Sequence, residues 1–432
     1  MLDIKYVLAN VEAVKQNCRN RNVPAEILEA VDAVVELEQK RLALLHEVEE
    51  VRRLQNANAQ ATGKEKDPEK RQQFIAEGKQ LKASMGEKEG ELKGLDAQVK
   101  QVLGRIPNLT HPDAPIGAAE EDSRELRKVG VPRVFDFKPK DHVEIGKALD
   151  MIDFESGAKV SGHGFYYLKN DAVLLELALQ QFAIRILVEK GFSPIVTPDL
   201  ARNQILEGIG FTPRGTETQI YSVENSDLSL IGTAEITLGG MHADDIFDEA
   251  ALPLRYVGLS HCFRTEAGAA GRASKGLYRV HQFTKVEMFA FTTPEGSDAM
   301  HAELLAIEEE LFTALGIPYR VLDISSGDLG GPAYRKYDLE AWMPGRGEAG
   351  EYGEVTSTSD CTDYQARRLN VRYRPTGQKG TRFVHTLNGT ALALSRALIV
   401  ILENYQRADG LVDVPAVLQP YLGKEVLGRR PC

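Results

Sequence analysis

His281-Gln282-Phe283-Thr284-Lys285-Val286-Glu287-Met288-Phe289-Ala290-Phe291 has the residue alternation of a strand. Phe283, Lys285, Glu287, Phe289 and Phe291 then share one face. A carboxylate among phenylalanines is costly unless a cation or a hydrogen-bond donor meets it. Two partners fit: Lys285 or an arginine of the same chain, or the ammonium group of an amino-acid substrate. Just upstream, His261-Cys262-Phe263-Arg264-Thr265-Glu266 also reads as a strand, with Arg264 and Glu266 on the face opposite Phe263. The loop Ala267-Gly268-Ala269-Ala270-Gly271 follows, then Arg272, Lys275 and Arg279. A cationic, glycine-rich loop between two strands suits a polyphosphate or a nucleic-acid backbone, and equally suits solvated surface. It is not a Walker-type loop, because GxxxxGK[ST] occurs nowhere in the chain.

Downstream runs Thr386-Leu387-Asn388-Gly389-Thr390-Ala391-Leu392-Ala393-Leu394-Ser395-Arg396, continuing apolar to Leu402. Thr390 is expected to cap a helix. That helix is apolar almost all round and should be buried. Arg396 inside it needs an anion. A phosphate matches its geometry, and a salt bridge to Glu403 or another carboxylate would satisfy it as well.

The N-terminal part has a different texture. From about residue 24 to 106 there is no strand signal, and Glu, Lys, Gln, Ala and Leu dominate. Phe74, Gly78, Leu81, Met85, Lys88, Leu92, Leu95, Val99, Val102 and Ile106 alternate spacings of four and three, the a/d seam of a coiled coil. Leu28, Val31, Val35, Leu42, Leu45, Val48, Val51 and Leu54 recur at looser helical spacing. Between the two sets, Thr62-Gly63-Lys64-Glu65-Lys66-Asp67-Pro68 reads as a tip, with the proline placed to start a helix. Two antiparallel helices of about 35 residues would project roughly 50 Å. Such a hairpin serves as a scaffold or dimeriser as readily as a binding arm. Pro107, Pro112 and Pro115 form a connector. Beyond it, β-branched and aromatic runs alternate with helical stretches, an α/β or α+β body of roughly 320 residues.

Composition limits the rest. The 432 residues suit two or three domains. No run reaches the ~20 apolar residues of a membrane span, so no membrane partner is expected. Residues 1–5 lack signal character, which makes a cytoplasmic protein the expectation. Cys18, Cys262, Cys361 and Cys432 have no metal-ligand spacing, and reduced thiols are expected. The net charge of −11 argues against nonspecific coating of nucleic acid. A local basic patch could still hold an RNA.

The order of these elements resembles the three motifs of class II aminoacyl-tRNA synthetases: Gly191-Phe192 through Pro198, then the Phe-Arg-x-Glu segment and its loop, then the glycine-led helix with one arginine. Within class II, the whole chain is similar to the seryl-tRNA synthetases of bacterial type. The segments that carry this are Ile231-Gly232-Thr233-Ala234-Glu235, residues 262–268, His281-Gln282-Phe283, Lys285 to Met288, Leu387 to Thr390, and the ending Val414-Pro415 through Leu418-Gln419-Pro420-Tyr421. The resemblance implies an α+β fold. Residues 1–110 would form a tRNA-binding domain whose coiled-coil arm spans about 24–106. Residues 111–432 would form a catalytic domain with an antiparallel β-sheet flanked by helices.

It also implies roles. Thr233, Ala234, Glu235, Arg264, Glu287, Asn388 and Thr390 would bind L-serine. Glu287 and Thr390 would read its hydroxyl, and Thr233 with Glu287 would hold its ammonium. ATP would meet Arg264, Thr265, Glu266, Arg279, Val280, Phe283, Glu354, Val355, Thr356, Ser357 and Arg396. Arg264 and Arg396 would be catalytic, and Phe283 would stack on the adenine. Glu354 and Ser357 would ligate Mg²⁺, with no zinc. The acceptor would be tRNA(Ser), with tRNA(Sec) a second candidate, and the enzyme would be a homodimer.

Two departures stand out. The segment Gly345 to Gly353 is long and glycine-rich, and Asp360 stands where the family often has asparagine. Other readings are a threonyl or prolyl enzyme, a carrier-protein ligase, and a catalytically dead paralogue. The arm, the absence of an added anticodon-binding domain, and the intact Arg264, Glu287 and Arg396 weigh against them.

Overall fold

A computed structural model describes residues 1–211, 219–267 and 275–428. The expected loop residues Gly268 to Gly271, Arg272 and Cys432 lie outside the described residues. The chain divides into two compact units, Met1–Leu109 and Thr110–Cys432.

The first unit carries four helices, α1 (Ile4–Ala9), α2 (Val11–Asn20), α3 (Ala25–Lys64) and α4 (Pro68–Leu103). The long pair α3 and α4 pack on each other as an antiparallel hairpin. Pro68 occupies the first turn of α4, where its missing N–H costs nothing. The Asp67 side chain caps that end, accepting from the Glu69 and Lys70 amides. All ten positions of the expected α4 seam, Phe74 to Ile106, are buried or half-buried.

The inner face of α3 differs from expectation in detail. Leu42 and Leu54 are 45% and 42% exposed. The inner positions fall instead to Val34, Glu38, Arg41 and Leu44, and Arg41 Nε donates to Glu38 Oε2 at 2.6 Å. The long stems of these charged residues cover apolar surface while their heads pair. A search for apolar spacing passes over them.

The second unit is built on an eight-stranded sheet. Its strands are β1 (Arg124–Val129), β2 (Ser193–Val196), β3 (Leu254–Phe263), β4 (Gln282–Thr292), β5 (Tyr319–Asp323), β6 (Arg335–Met343), β7 (Glu351–Asp360) and β8 (His385–Ala393). Their order across the sheet is β1-β5-β6-β7-β8-β4-β3-β2. Every neighbouring pair is antiparallel except the edge pair β2–β3.

The alternation of β4 appears as expected. Val286, Met288 and Ala290 enter the main core. That core also takes apolar residues of α5 (Asp171–Glu189), α7 (Ser297–Ala314) and α9 (Leu394–Asn404). Phe289 and Phe291 enter a second cluster on the opposite face, which holds the short helices α6 (Ala234–Gly240) and α8 (Tyr364–Leu369). Glu287, Lys285 and Phe283 continue that second face past the phenylalanines.

Two expectations give way here. The strand containing Cys262 ends at Phe263, and Glu266 adopts a left-handed backbone with φ +50°, so Arg264 and Glu266 are not strand neighbours. Thr390 is not a helix cap. It lies inside β8, paired with Glu287 of β4, and the helix begins four residues later at Leu394. The sheet register claims Thr390 because its neighbours Leu387, Ala391 and Leu392 are fully buried. Among the described residues, no helix is long and apolar enough to cross a membrane.

Candidate active site

The far halves of β4, β7 and β8 open onto a cavity of about 370 Å³. At one end lies Glu287, only 2% exposed. Its Oε2 sits 2.5 Å from Lys285 Nζ and accepts from Thr390 Oγ1 at 3.2 Å. The internal cation considered from sequence is therefore present. Lys285 Nζ is also 3.4 Å from Thr390 Oγ1. The strand pairing that places Thr390 opposite Glu287 produces this cluster of two charges and a hydroxyl.

Glu235 faces the same end. It sits in the first turn of α6, where Thr233 is the cap and accepts the Glu235 amide at 3.3 Å. Glu235 Oε1 accepts from Gln365 Nε2 at 2.7 Å and Asn388 Nδ2 at 3.0 Å. Burial, and then the nearby Glu287 charge, push its carboxyl up to about 7. Thr386 Oγ1 in turn donates to Gln365 Oε1 at 2.7 Å, fixing which way the amide points. This end of the cavity offers two carboxylates, a hydroxyl and oriented amides. An ammonium and a small hydroxyl suit that set.

The other end is richer in arginine. Arg264 Nε donates to the Gly232 carbonyl at 3.3 Å, and its Cζ lies 5.4 Å from the Phe283 ring centre. Arg279 pairs with Glu266 at 3.4 Å. Arg396, on the first turn of α9, donates through Nη1 to the Glu354 carbonyl at 3.0 Å and meets the Glu354 carboxylate at 3.2 Å. Its carboxylate is thus Glu354. Glu403 instead accepts from His142 and from the Gly345 amide. Burial works to raise the Glu354 carboxyl. Arg396, Lys336 and Arg264 outweigh it, and the group is held below the usual carboxylate range.

The cavity brings together Thr233, Glu235, Arg264, Glu266, Arg279, Val280, Phe283, Glu287, Glu354, Val355, Thr356, Ser357, Asn388, Thr390 and Arg396. It leaves out Ala234, buried against Gly258, and Thr265. The Thr356 hydroxyl donates to the buried Glu308 at 3.0 Å. Tyr278 and Lys336 also line the cavity, and Gln365 holds Glu235 from behind; sequence reasoning missed all three. Only Gln365 had a signal, as an amide on the otherwise apolar inner face of a short helix. Asp360 accepts from Ser297 Oγ and the Thr362 amide at 2.8 and 2.7 Å, a structural role away from the cavity.

Glu354 and Ser357 offer a carboxylate kept ionised and a hydroxyl, both hard oxygen donors on one wall. Among the described residues, no three His, Cys, Asp or Glu side chains are grouped to hold a metal. The donor set fits an ion of Mg²⁺ type, which takes one or two protein oxygens and fills its shell with water and phosphate oxygens.

Comparison with known proteins agrees over the full length. Residues 1–110 match the seryl-tRNA synthetase N-terminal domain, and residues 219–405 match the tRNA synthetase class II core domain (G, H, P, S and T). A serine–tRNA ligase of Rubrobacter xylanophilus is 58% identical over 428 residues, covering 99% of both chains. One from Treponema denticola is 54% identical over 428 residues, covering 99% of this chain and 100% of the relative. The crystal structure of seryl-tRNA synthetase from Pyrococcus horikoshii complexed with ATP superposes with a TM-score of 0.91 at 43% identity, covering 99% of each chain.

Proposed function

The chain belongs to the seryl-tRNA synthetases, and we propose that its cavity binds L-serine at the Glu287 end and ATP at the arginine end. The enzyme activates L-serine with ATP and charges tRNA with the product. The single observation that carries the assignment of roles is that Glu287 with Thr390, and Arg264 with Arg396, converge on one cavity.

Serine would place its ammonium between Glu287 and Thr233, and its hydroxyl against Glu287 and Thr390. Glu235, Asn388 and Gln365 support that wall. Arg264 would bridge the serine carboxylate and the α-phosphate. Phe283 and Val280 would flank the adenine with Glu266 beside it, and Arg279 and Arg396 would hold the γ-phosphate end. The serine carboxylate oxygen then attacks the α-phosphorus in line, the bond to the bridging oxygen breaks, and pyrophosphate leaves. No covalent protein nucleophile is required. Positioning and arginine charge lower the barrier. In the second step the terminal ribose hydroxyl of the tRNA attacks the seryl carbonyl, and AMP leaves. Mg²⁺ held by Glu354 and Ser357 would neutralise phosphate charge.

Residues 1–110, with the arm at 24–106, would bind tRNA(Ser), and residues 111–432 would form the catalytic domain. Transfer to tRNA(Sec) is tested by aminoacylation of that tRNA with serine beside tRNA(Ser). The homodimer is supported by Val173, Leu174, Leu177 and Val188 of α5 and Val196 of the edge strand β2, all at least 40% exposed. Rows of exposed apolar side chains beside an open strand edge suit an interface. A cytoplasmic location accords with the reaction.

The test is ATP–pyrophosphate exchange with serine, threonine, alanine and glycine, for wild type and Glu287→Gln. A site built on a hydroxyl should reject alanine by ~10⁴-fold. Threonine is excluded only through its extra methyl, worth ~1–3 kcal/mol, so its rejection should be weaker. Glu287→Gln should raise the serine KM ~10-fold or more, the worth of a charge-assisted contact, and spare ATP. An unchanged serine KM would remove Glu287 from the pocket.

A further inference from the structure

The glycine-rich stretch between β6 and β7 carries Arg346, whose guanidinium carbon lies 4.6 Å from the centre of the Tyr278 ring. The guanidinium carbon of Arg396 lies 4.7 Å from the centre of the same ring. Each arginine also faces a carboxylate: Arg396 meets Glu354 at 3.2 Å and Arg346 meets Glu351 at 3.4 Å. The result is a run of alternating character, Glu354, Arg396, Tyr278, Arg346, Glu351. Tyr278 and Arg396 line the cavity, and Arg346 does not.

Two hydrogen bonds and one glycine fix the arrangement. Arg396 Nε donates to the Tyr278 carbonyl at 3.5 Å. The Gly345 amide donates to Glu403 Oε2 at 2.8 Å, which ties the loop to α9, the helix that carries Arg396. Gly353 leaves the space Arg346 occupies, since a Cβ there would lie 2.6 Å from Arg346 Nη1 and 3.2 Å from the Tyr278 hydroxyl.

We propose that Arg346 and Tyr278 are positioning residues that hold the Arg396 guanidinium in place for the phosphates of ATP. The proposal rests on the reading of Arg396 as a phosphate ligand. A carboxylate alone would hold Arg396 through the same N–H groups a phosphate needs. A ring face restrains the plane of the guanidinium and uses none of its donors. Arg346 keeps the ring from rotating away, and Gly353 makes room for it. The long loop thus acts on the active site without reaching it.

Exchange kinetics with ATP and serine varied in turn decide the matter, for Tyr278→Leu, Tyr278→Phe, Arg346→Met, Gly353→Ala and Arg396→Ala. Tyr278→Leu and Arg346→Met are expected to lower kcat/KM for ATP by about 3- to 30-fold, the range for loss of a shielded cation–π contact, with the serine KM unchanged. Tyr278→Phe keeps the ring face over Arg396 and should lose clearly less than Tyr278→Leu. Gly353→Ala keeps every charge but forces the Arg346 guanidinium to shift, and should lower kcat/KM for ATP in the same direction as Arg346→Met and by less, which keeps the test open if Tyr278→Leu does not fold. Wild-type ATP kinetics in both Arg346→Met and Gly353→Ala would overturn the proposal. So would losses that fall equally on serine and track the thermal midpoint. If Arg396→Ala collapses exchange while these variants do not, only this inference fails. If Arg396→Ala leaves exchange intact, the phosphate reading itself fails.

Discussion

The α3–α4 hairpin and the cleft of the sheet use the same charged side chains in opposite ways. On the hairpin, Arg52 and Glu89 pair at 3.0 Å with 57% and 49% of their side chains exposed, and Lys88 pairs with Glu47 across the two helices. Exposed pairs contribute ~0–1 kcal/mol, and breaking one strands nothing. In the cleft, Lys285 and Glu287 are 5% and 2% exposed. Removing one member of such a pair leaves a charge without water or partner, at about 3–5 kcal/mol. Hairpin charge therefore remains available to a partner, whereas cleft charge is fixed by the strands that bear it.

The sharpest way to separate the regions is to remove one. Deleting Lys40–Lys88 and bridging the cut helices with a short turn should abolish tRNA charging while serine-dependent pyrophosphate exchange persists. Exchange that fell as far as charging, in a folded body, would end the division of labour. Next in size, Arg264→Ala and Arg396→Ala should each slow adenylate formation by about 10²-fold or more, the usual loss for one charge partner of a transition state. Stopped-flow or exchange rates near wild type would reduce that arginine to a structural ion-pair member.

A third effect concerns pH. The Glu235 carboxyl is pushed up to about 7, chiefly by burial and then by Glu287. Between the unfolded value near 4.5 and that level, the native state binds more protons than the unfolded chain. Its contribution to stability is complete below pH 4.5 and is lost as pH rises through 7. Glu235→Gln should flatten this part of the profile, changing the difference between pH 5 and 8 by on the order of 3 kcal/mol. Parallel denaturation profiles for mutant and wild type would mean the carboxyl titrates normally. The smallest effect belongs to the hairpin: Arg52→Ala should shift unfolding by less than about 1 kcal/mol, and a larger shift would show that its pairs act as a network.

The two regions also differed in how far the sequence disclosed them. The α4 seam was legible because its period is local, and each residue from Phe74 to Ile106 reports its own position. On α3 the period was obscured, because Glu38 and Arg41 took inner places that an apolar pattern assigns to no one, leaving Leu42 and Leu54 outside. In the cleft, short contiguous segments such as Thr233 to Glu235 and Lys285 to Met288 were readable through family resemblance. Strand alternation placed Lys285 and Glu287 on one face, but it left open whether Lys285, an arginine or a substrate ammonium would meet the carboxylate. What could not be read was contact between distant segments. Gln365 reaches Glu235 across 130 positions. Thr390 looked like a helix cap because local rules favour threonine there, yet strand pairing with Glu287, 103 positions away, decided its place. Arg396 chose Glu354 over Glu403 for the same kind of reason.

Strand β8 passes into helix α9 with no intervening loop, so Thr390 and Arg396 stand on a single unbroken length of backbone. That length is a ruler between the two ends of the cavity. A helix turns about 100° with each residue, so one residue inserted at Leu394 would swing Arg396 out of the cleft while Thr390 stayed opposite Glu287. The spacing between the Glu287 end and the arginine end of the cavity is thereby set by counting residues along one continuous segment.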